Sequence, residues 1–187
     1  MESSVDNNAL EQKQTQVIYG GFWPRVGALL LDTVILLPVI FPLTLFNITQ
    51  WKSSILLVLV TLAAVSYKPF CEYKYGATLG KMALKLKVVN LEFNKANSTE
   101  ILLRNIFHIV PPLFSLMLTL SLYAKPEFGE VRSFADYTSF SRQSTGLTFY
   151  NFFITILYLV DVVFLLTDRQ NRTLHDRIGK TYVIVSR

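Results

Sequence analysis

The sequence predicts an all-α membrane protein, a four-helix transmembrane bundle with short amphipathic cytoplasmic elements and a small β-ribbon. Three observations indicate this class. Hydrophobic residues make up 51% of the 187 residues and the mean hydropathy is +0.38, which is unusual for a soluble domain. The apolar residues form blocks long enough to cross a hydrocarbon layer about 30 Å thick. Most Lys and Arg residues fall on one side of these blocks.

The apolar blocks predict the membrane spans and the segments between them. The second block is the shortest, and it relies on Lys52 and Lys68 to extend their apolar stems along its ends. We expect spans at about 26–46, 53–70, 101–123 and 147–167. The chain then divides into a polar tail (1–20) and a membrane domain (21–187) that contains a cytoplasmic loop (71–100), an outer loop (124–146) and a cytoplasmic tail (168–187).

The distribution of basic residues predicts the orientation. All but four of the 18 Lys and Arg residues fall on one side of a four-span topology, the exceptions being Lys52, Lys125, Arg132 and Arg142. Cytoplasmic segments carry an excess of basic residues, so both termini are expected in the cytoplasm. The first 20 residues lack the basic-then-apolar order of a cleavable signal peptide, so the first span is expected to be retained.

The net charge of +5 is explained by topology and contact with anionic lipid. Nucleic acid is not an expected partner, because the basic residues lie at span ends and form no nucleic-acid-binding motif.

Ionisable residues inside the spans are the candidate functional groups. An acid at the centre of a membrane helix costs about 2.5–3.5 kcal/mol on insertion scales, so it usually faces protein and has a partner. A helical rise of 1.5 Å per residue converts sequence position into depth. We therefore predict an inner layer of Asp32, His108 and Asp161, and a layer nearer the cytoplasm of Arg25, Arg104 and Asp168.

Three interpretations of these layers stay open. Carboxylates, an imidazole and the carbonyls freed by Pro111 and Pro112 are groups that bind a small cation or relay a proton. Alternatively, buried ion pairs such as Arg104 with Asp32 only fix the helix register, or the placements are unrelated.

The predicted cytoplasmic loop contains Gly76 to Val89, with lysines between apolar residues. We expect a short interfacial helix whose Lys81, Lys85 and Lys87 contact lipid headgroups, followed by an extended segment. A phosphate-binding loop is rejected, because Tyr75 and Met82 replace required residues. The segment Thr173 to Val185 repeats this sequence pattern, with Lys180 aligned to Lys85. The extended ends of the two segments are therefore expected to pair as the β-ribbon.

Other chemistry finds little support. The single Cys71 excludes an intramolecular disulfide. The chain has two histidines, too few for a closed metal site, so His175 and Asp176 are expected to cap a helix and form salt bridges with Arg25 or Arg172. We expect no metal, no cofactor and no enzymatic activity, because no nucleophile, base and orienting group occur at recognisable spacing.

Several of these motifs resemble the RDD family of bacterial membrane proteins. They are Gly20 to Arg25 with Asp32 following, Gly76-x-Thr78-x-Gly80-Lys81, and Thr173 to Asp176 with Thr181-x-Val183. The resemblance covers about residues 19–185 and implies location in the bacterial inner membrane. The family is named for one arginine and two aspartates. By position, Arg25 and Asp32 match the arginine and first aspartate, and the second is Asp176 or Asp161. Transport is the function usually suggested for the family, with cation/proton exchange for some members.

Two functional hypotheses follow. In the first, the protein is a small transporter of monovalent cations coupled to protons, with Asp32 and Asp161 as alternately protonated ligands and His108 assisting. Four spans are few for a transport pathway, so a homo-oligomer is expected, with Ala63, Ala64 and Ser66 as a contact face. In the second, it is a non-transporting adaptor or accessory subunit that recruits a partner or anionic lipid.

Overall fold

The computed structural model describes residues 17–186, so most of the predicted polar tail lies outside the described residues. In chain order the elements are α1 (Phe22–Phe46), a π-helical turn (Asn47–Trp51), α2 (Ser54–Tyr75), α3 (Leu79–Ala83), β1 (Leu86–Asn90), α4 (Ser98–Arg104), α5 (Ile106–Tyr123), a 3₁₀ turn (Pro126–Glu130), α6 (Phe134–Arg142), α7 (Thr145–Thr167), α8 (Leu174–Ile178) and β2 (Thr181–Val185). Helices α1, α2, α5 and α7 are long and apolar enough to cross a membrane. This confirms the predicted fold class.

Two helix boundaries differ from those expected. Helix α2 does not stop near Phe70 but continues to Tyr75, where Gly76 adopts a left-handed conformation (φ +76°) and ends it. The third span does not begin at Ile101, because the backbone leaves helical geometry at Asn105. Helices α4 and α5 are therefore separate. At the break, the Asn105 side chain donates hydrogen bonds to the Ile101 carbonyl and the Glu72 carboxylate.

The predicted β-ribbon is present. Strands β1 and β2 pair antiparallel, with Val88 opposite Val183 at the centre. On the other edge of β2, Gly20 N–H donates to the Val183 carbonyl and Val185 N–H donates to the Ile18 carbonyl, each at 2.8 Å. Residues that the sequence assigned to the polar tail therefore extend this small sheet.

Each strand follows a short helix of similar construction. Helix α3 is capped by the Thr78 hydroxyl and α8 by the Thr173 hydroxyl. Each helix leads into a lysine with positive φ, Lys85 at 54° and Lys180 at 51°. The sequence alignment that matches these lysines also matches Val88 with Val183, the central pair of the sheet. The ribbon is therefore an approximate two-fold junction between two halves, each a pair of membrane helices with a capped helix and strand.

Buried apolar cores lie at the two ends of the bundle. At the end that carries the sheet, called here the sheet end, the core contains Ala28, Leu86, Val88, Ala96, Ile101 and Val183. At the opposite end, called the far end, it contains Ile48, Leu122, Phe128, Val131 and Leu147. Between them, α1 and α7 expose large apolar side chains such as Val34 and Phe152, as expected of helices that contact the lipid bilayer.

Candidate functional site

Asp32 lies where α1 passes the N-terminus of α3. Its carboxylate accepts hydrogen bonds from the hydroxyls of Tyr67 (2.8 Å) and Thr78 (2.6 Å) and from the backbone N–H of Gly80 (2.8 Å). A carboxylate at a helix N-terminus binds free N–H groups and is favoured by the helix dipole. Asp32 therefore fastens α3 to α1.

This placement corrects the predicted inner layer. Asp32 lines neither of the two cavities described below, which His108 and Asp161 border, and its carboxylate binds groups of α2 and α3 instead. The predicted pairing of Arg104 with Asp32 is also wrong, because the guanidinium binds Glu72 and Asp176. Similar depth on two helices does not make two side chains face each other.

Five charged side chains form a buried network at the sheet end, called here the charge cluster: Arg25, Glu72, Lys81, Arg104 and Asp176. Arg104 is the hub, because its Nε lies 3.2 Å from Glu72 Oε2 and its Nη1 binds Asp176 Oδ1. Arg25 Nη1 lies 2.6 Å from Asp176 Oδ2, and Lys81 Nζ binds Glu72 Oε1. The side chains of Glu72 and Asp176 are fully buried.

Local structure holds Asp176 in place. It is the third residue of α8, and its carboxylate accepts from the Thr173 N–H while its own N–H donates to the Thr173 hydroxyl, which is a capping box. Burial alone would raise the pKa of Asp176, but the guanidiniums of Arg104 and Arg25 hold this pKa well below its ordinary range. The predicted contact between Asp176 and Arg25 is present.

Arg25 and Lys81 reach the cluster from opposite sides. Arg25 also donates to the carbonyls of Gly20 and Asn171, so it connects the start of α1 to the segment before α8. Burial lowers the pKa of Lys81, although the Glu72 carboxylate opposes that shift. The expectation that Lys81 points outward to lipid is wrong, because its side chain is drawn in by Glu72. Lys85 and Lys87 are exposed.

Sequence reasoning missed Glu72. It is the single acid between Ser53 and Tyr75 and lies near the end of an apolar segment, which is the same signal that singled out Asp32. The expected end of the second span at residue 70 placed Glu72 in a loop, and the longer helix returns it to the bundle.

A small polar cavity of about 50 Å³ lies beside the charge cluster, and we call it the polar cavity. Its walls are Lys68, Arg104, Phe107, His108, Leu157, Tyr158, Asp161 and His175. His108 and Asp161, which the sequence placed in one layer, therefore line the same cavity. Asp161 Oδ1 accepts from the His175 backbone N–H at 3.2 Å and lies 3.0 Å from His175 Nδ1. Burial lowers the pKa of His175 against the opposing effects of Asp176 and Asp161.

A second cavity, the large cavity, lies between α1, α2 and α5. Its volume is about 220 Å³, and its walls are Ile40, Thr44, Asn47, Leu57, Val60, Thr61, Ala64, Val65, His108 and Pro112. His108 thus borders both cavities. Pro112 has no N–H to donate to the His108 carbonyl, which leaves this oxygen without its usual helical partner.

Asp168 does not join Arg25 and Arg104 as the second predicted layer required. Its carboxylate binds Arg177 Nη2 at 2.7 Å and Arg172 Nε at 3.4 Å. Asp168 ends α7, and the chain turns immediately after it, which directs the side chain to the following segment. Within residues 17–186, no group of three His, Cys, Asp or Glu residues is arranged to hold a metal ion.

The chain matches the RDD family over residues 19–180, well over half its length. No curated protein and no solved structure shows significant similarity. The arginine assigned from the family motif, Arg25, is bound to the fully buried Asp176. The four apolar helices fit the membrane character of RDD proteins, and the chain belongs to the RDD family.

Proposed function

We propose that the protein is a small secondary transporter that exchanges monovalent cations for protons, with Asp161 and His108 as the central groups. The observation that carries this proposal is that His108 lines two cavities between the membrane helices. Close packing stabilises a folded bundle, so unfilled space between its helices does not contribute to stability. Polar cavities between membrane helices are the usual location of ion and proton pathways.

Asp161 is the carboxylate suited to exchange a proton for a cation. In contrast to Glu72 and Asp176, it has one neighbouring residue, His175, as its hydrogen-bond partner among the described residues. Its cavity can hold water, since one water needs about 10–15 Å³ and the cavity offers about 50 Å³. A cation that enters can therefore reach a carboxylate oxygen without breaking the charge cluster.

His108 lines both cavities. An imidazole accepts a proton at one ring nitrogen and releases it from the other, so we assign to His108 the transfer of protons between the large cavity and Asp161. Thr44 and Thr61 line the large cavity and donate their hydroxyl protons to carbonyls of their own helices. Their oxygen lone pairs are then free to accept a proton donor or to contact a cation.

Asp32 has a structural role in this proposal. Its carboxylate already accepts three hydrogen bonds, and a cation would have to displace them. We further propose a homo-oligomer that completes the pathway, with the exposed Ala63 and Ser66 of α2 at the contact, and no catalytic activity.

Flux in proteoliposomes tests the proposal. A pH gradient should drive cation-dependent proton movement by the native protein, and Asp161→Asn should abolish it. Asp136→Asn is the matched control, because Asp136 lies on the far-end helix α6, outside both cavities. Asp32→Asn should keep the flux per folded molecule. Equal flux in Asp161→Asn and Asp136→Asn would refute the proposal.

The charge cluster favours a second candidate, a non-transporting adaptor or accessory subunit. All five charges are paired, which is what a rigid support for a binding surface requires. The adaptor would use the exposed Lys85 and Lys87 to recruit an acidic partner or anionic lipid. Co-purification of one specific partner, lost in Lys85→Gln/Lys87→Gln, would support it, and unchanged recovery would count against that surface.

We also propose that the protein lies in the bacterial inner membrane with both termini in the cytoplasm. In a Cys71→Ser background, Lys87→Cys should be shielded from a membrane-impermeant maleimide in intact cells, and Lys125→Cys should react. The opposite pattern would reverse the topology.

A further inference from the structure

Lys68 is a basic residue inside a membrane helix. It lies on α2, one helical turn before Glu72, and forms part of the wall of the polar cavity. Among residues 17–186 it takes part in none of the salt bridges, whereas Arg104 in the same wall has two acidic partners. An unpaired ammonium within a bilayer is costly and usually marks a pathway. The role of Lys68 therefore depends on which acidic side chain its ammonium can pair with.

Glu72 is already occupied. Its carboxylate accepts from Lys81 Nζ, from Arg104 Nε at 3.2 Å and from Asn105 Nδ2 at 2.8 Å. A carboxylate has about four lone-pair sites, so little room is left for a further ammonium.

Asp161 is the acid that shares the polar cavity with Lys68. Both side chains line the same cavity of about 50 Å³, and a lysine stem has four flexible carbons with a rotatable donor at the end. The groups around them are Arg104 on α4, His108 on α5, Tyr158 on α7 and His175 on α8. Among the walls of this cavity, Asp161 is the single carboxylate.

We propose that Lys68 is a built-in competitor for the transported cation at Asp161. When no cation is bound, the Lys68 ammonium pairs with the Asp161 carboxylate, and a monovalent cation that enters the polar cavity displaces it. This inference rests on the proposed transport function. After the cation leaves, the Lys68 ammonium supplies a full opposite charge to the ionised Asp161 carboxylate, in addition to its contacts with His175.

Kinetics of the reconstituted native protein and its variants test the competition with Na⁺ and K⁺ as probes. Removing a competitor strengthens cation binding, so Lys68→Gln should lower the cation KM about tenfold and lower kcat, because release from Asp161 slows. Lys68→Arg keeps a competing charge and should keep a KM near the native value. Lys74→Gln, an exposed lysine on the same helix, is the matched control. Equal KM in Lys68→Gln and Lys74→Gln would refute the inference.

A second measurement separates this inference from the transport proposal. Thermal unfolding in cation-free detergent is compared for the native protein, Lys68→Met, Asp161→Asn and the double variant, with methionine chosen because it suits a membrane helix. If Lys68 and Asp161 are paired, the double variant should lose less stability than the sum of the losses in the two single variants. Additive losses would refute the pairing. Absence of flux in the native protein would refute transport while this cycle still tests the pairing.

Discussion

Gly80 is the position where a single methyl group should do the most damage to the fold. A Cβ at this position would lie 2.1 Å from the Ala28 carbonyl oxygen, whereas ordinary contact begins at 3.4 Å. Helix α3 would have to move away from α1 by about 1.3 Å. That movement separates the Gly80 N–H from Asp32 Oδ1, which now lie 2.8 Å apart.

The magnitude of Gly80→Ala follows from these two effects. Overpacking a close contact costs about 1–3 kcal/mol, and losing a hydrogen bond to a charged group costs about 1.5–3 kcal/mol. We expect the free energy of unfolding to fall by about 2.5–6 kcal/mol, which is about 5–24 °C in Tm for a chain of this size.

Thermal unfolding in detergent, followed by circular dichroism, measures this loss. Gly129→Ala is the matched control, because a Cβ at Gly129 meets nothing within 4 Å. Gly179→Ala should resemble Gly80→Ala, because its Cβ would lie 2.5 Å from Arg104 Cβ and 2.8 Å from Arg104 Cα. If Gly80→Ala unfolds at the temperature of Gly129→Ala, the close packing of α3 on α1 is refuted.

Three further predictions concern the charged groups. Asp176→Asn leaves two buried guanidiniums short of a partner, so it should lower the free energy of unfolding by about 3–5 kcal/mol. In denaturant unfolding, the control Asp136→Asn should have a midpoint close to that of the native protein. Equal midpoints for the two variants would contradict this. His175 has a pKa below 6.5 when folded, so the unfolded chain takes up the proton first: stability is full above pH 6.5 and falls below it. His175→Gln should weaken this acid dependence of Tm, and an unchanged dependence would exclude His175 as its source. Lys81→Met should lower Tm because Glu72 loses a donor, and a native Tm would mean that Arg104 and Asn105 satisfy Glu72 alone.

The sequence was sufficient to predict the spans and the ribbon. The length of an apolar block shows directly whether it can cross the hydrocarbon layer of a membrane. Four such blocks therefore predicted four membrane-spanning helices. The repeat that aligned Lys85 with Lys180 predicted the pairing of β1 with β2, because each lysine begins an extended segment after a capped helix. Local signals of this kind do not depend on how the helices pack.

The site was predicted less completely, for a geometric reason. Rise per residue gives depth, but it does not give the direction in which a side chain leaves its helix axis. Asp32 and Asp161 each accept the N–H of the second residue of a short helix, Gly80 and His175. Each acid therefore accepts a hydrogen bond at the start of a short helix, one in each half of the chain. Their similar depth reflects this repetition and does not imply that they meet.

The distribution of hydrogen-bond partners separates support from function in this bundle. Breaking a buried ion pair costs about 3–5 kcal/mol, so a fully paired group such as Asp176 is a poor exchange site. The family arginine Arg25 and its partner Asp176 therefore hold the two halves together at the sheet. The polar cavity contrasts with this arrangement, because Lys68 lines it together with Asp161 and takes part in no salt bridge among residues 17–186. Groups with incomplete partners can change partners at low cost, so under the proposed transport function Lys68 and Asp161 are the groups on which a passing cation would act.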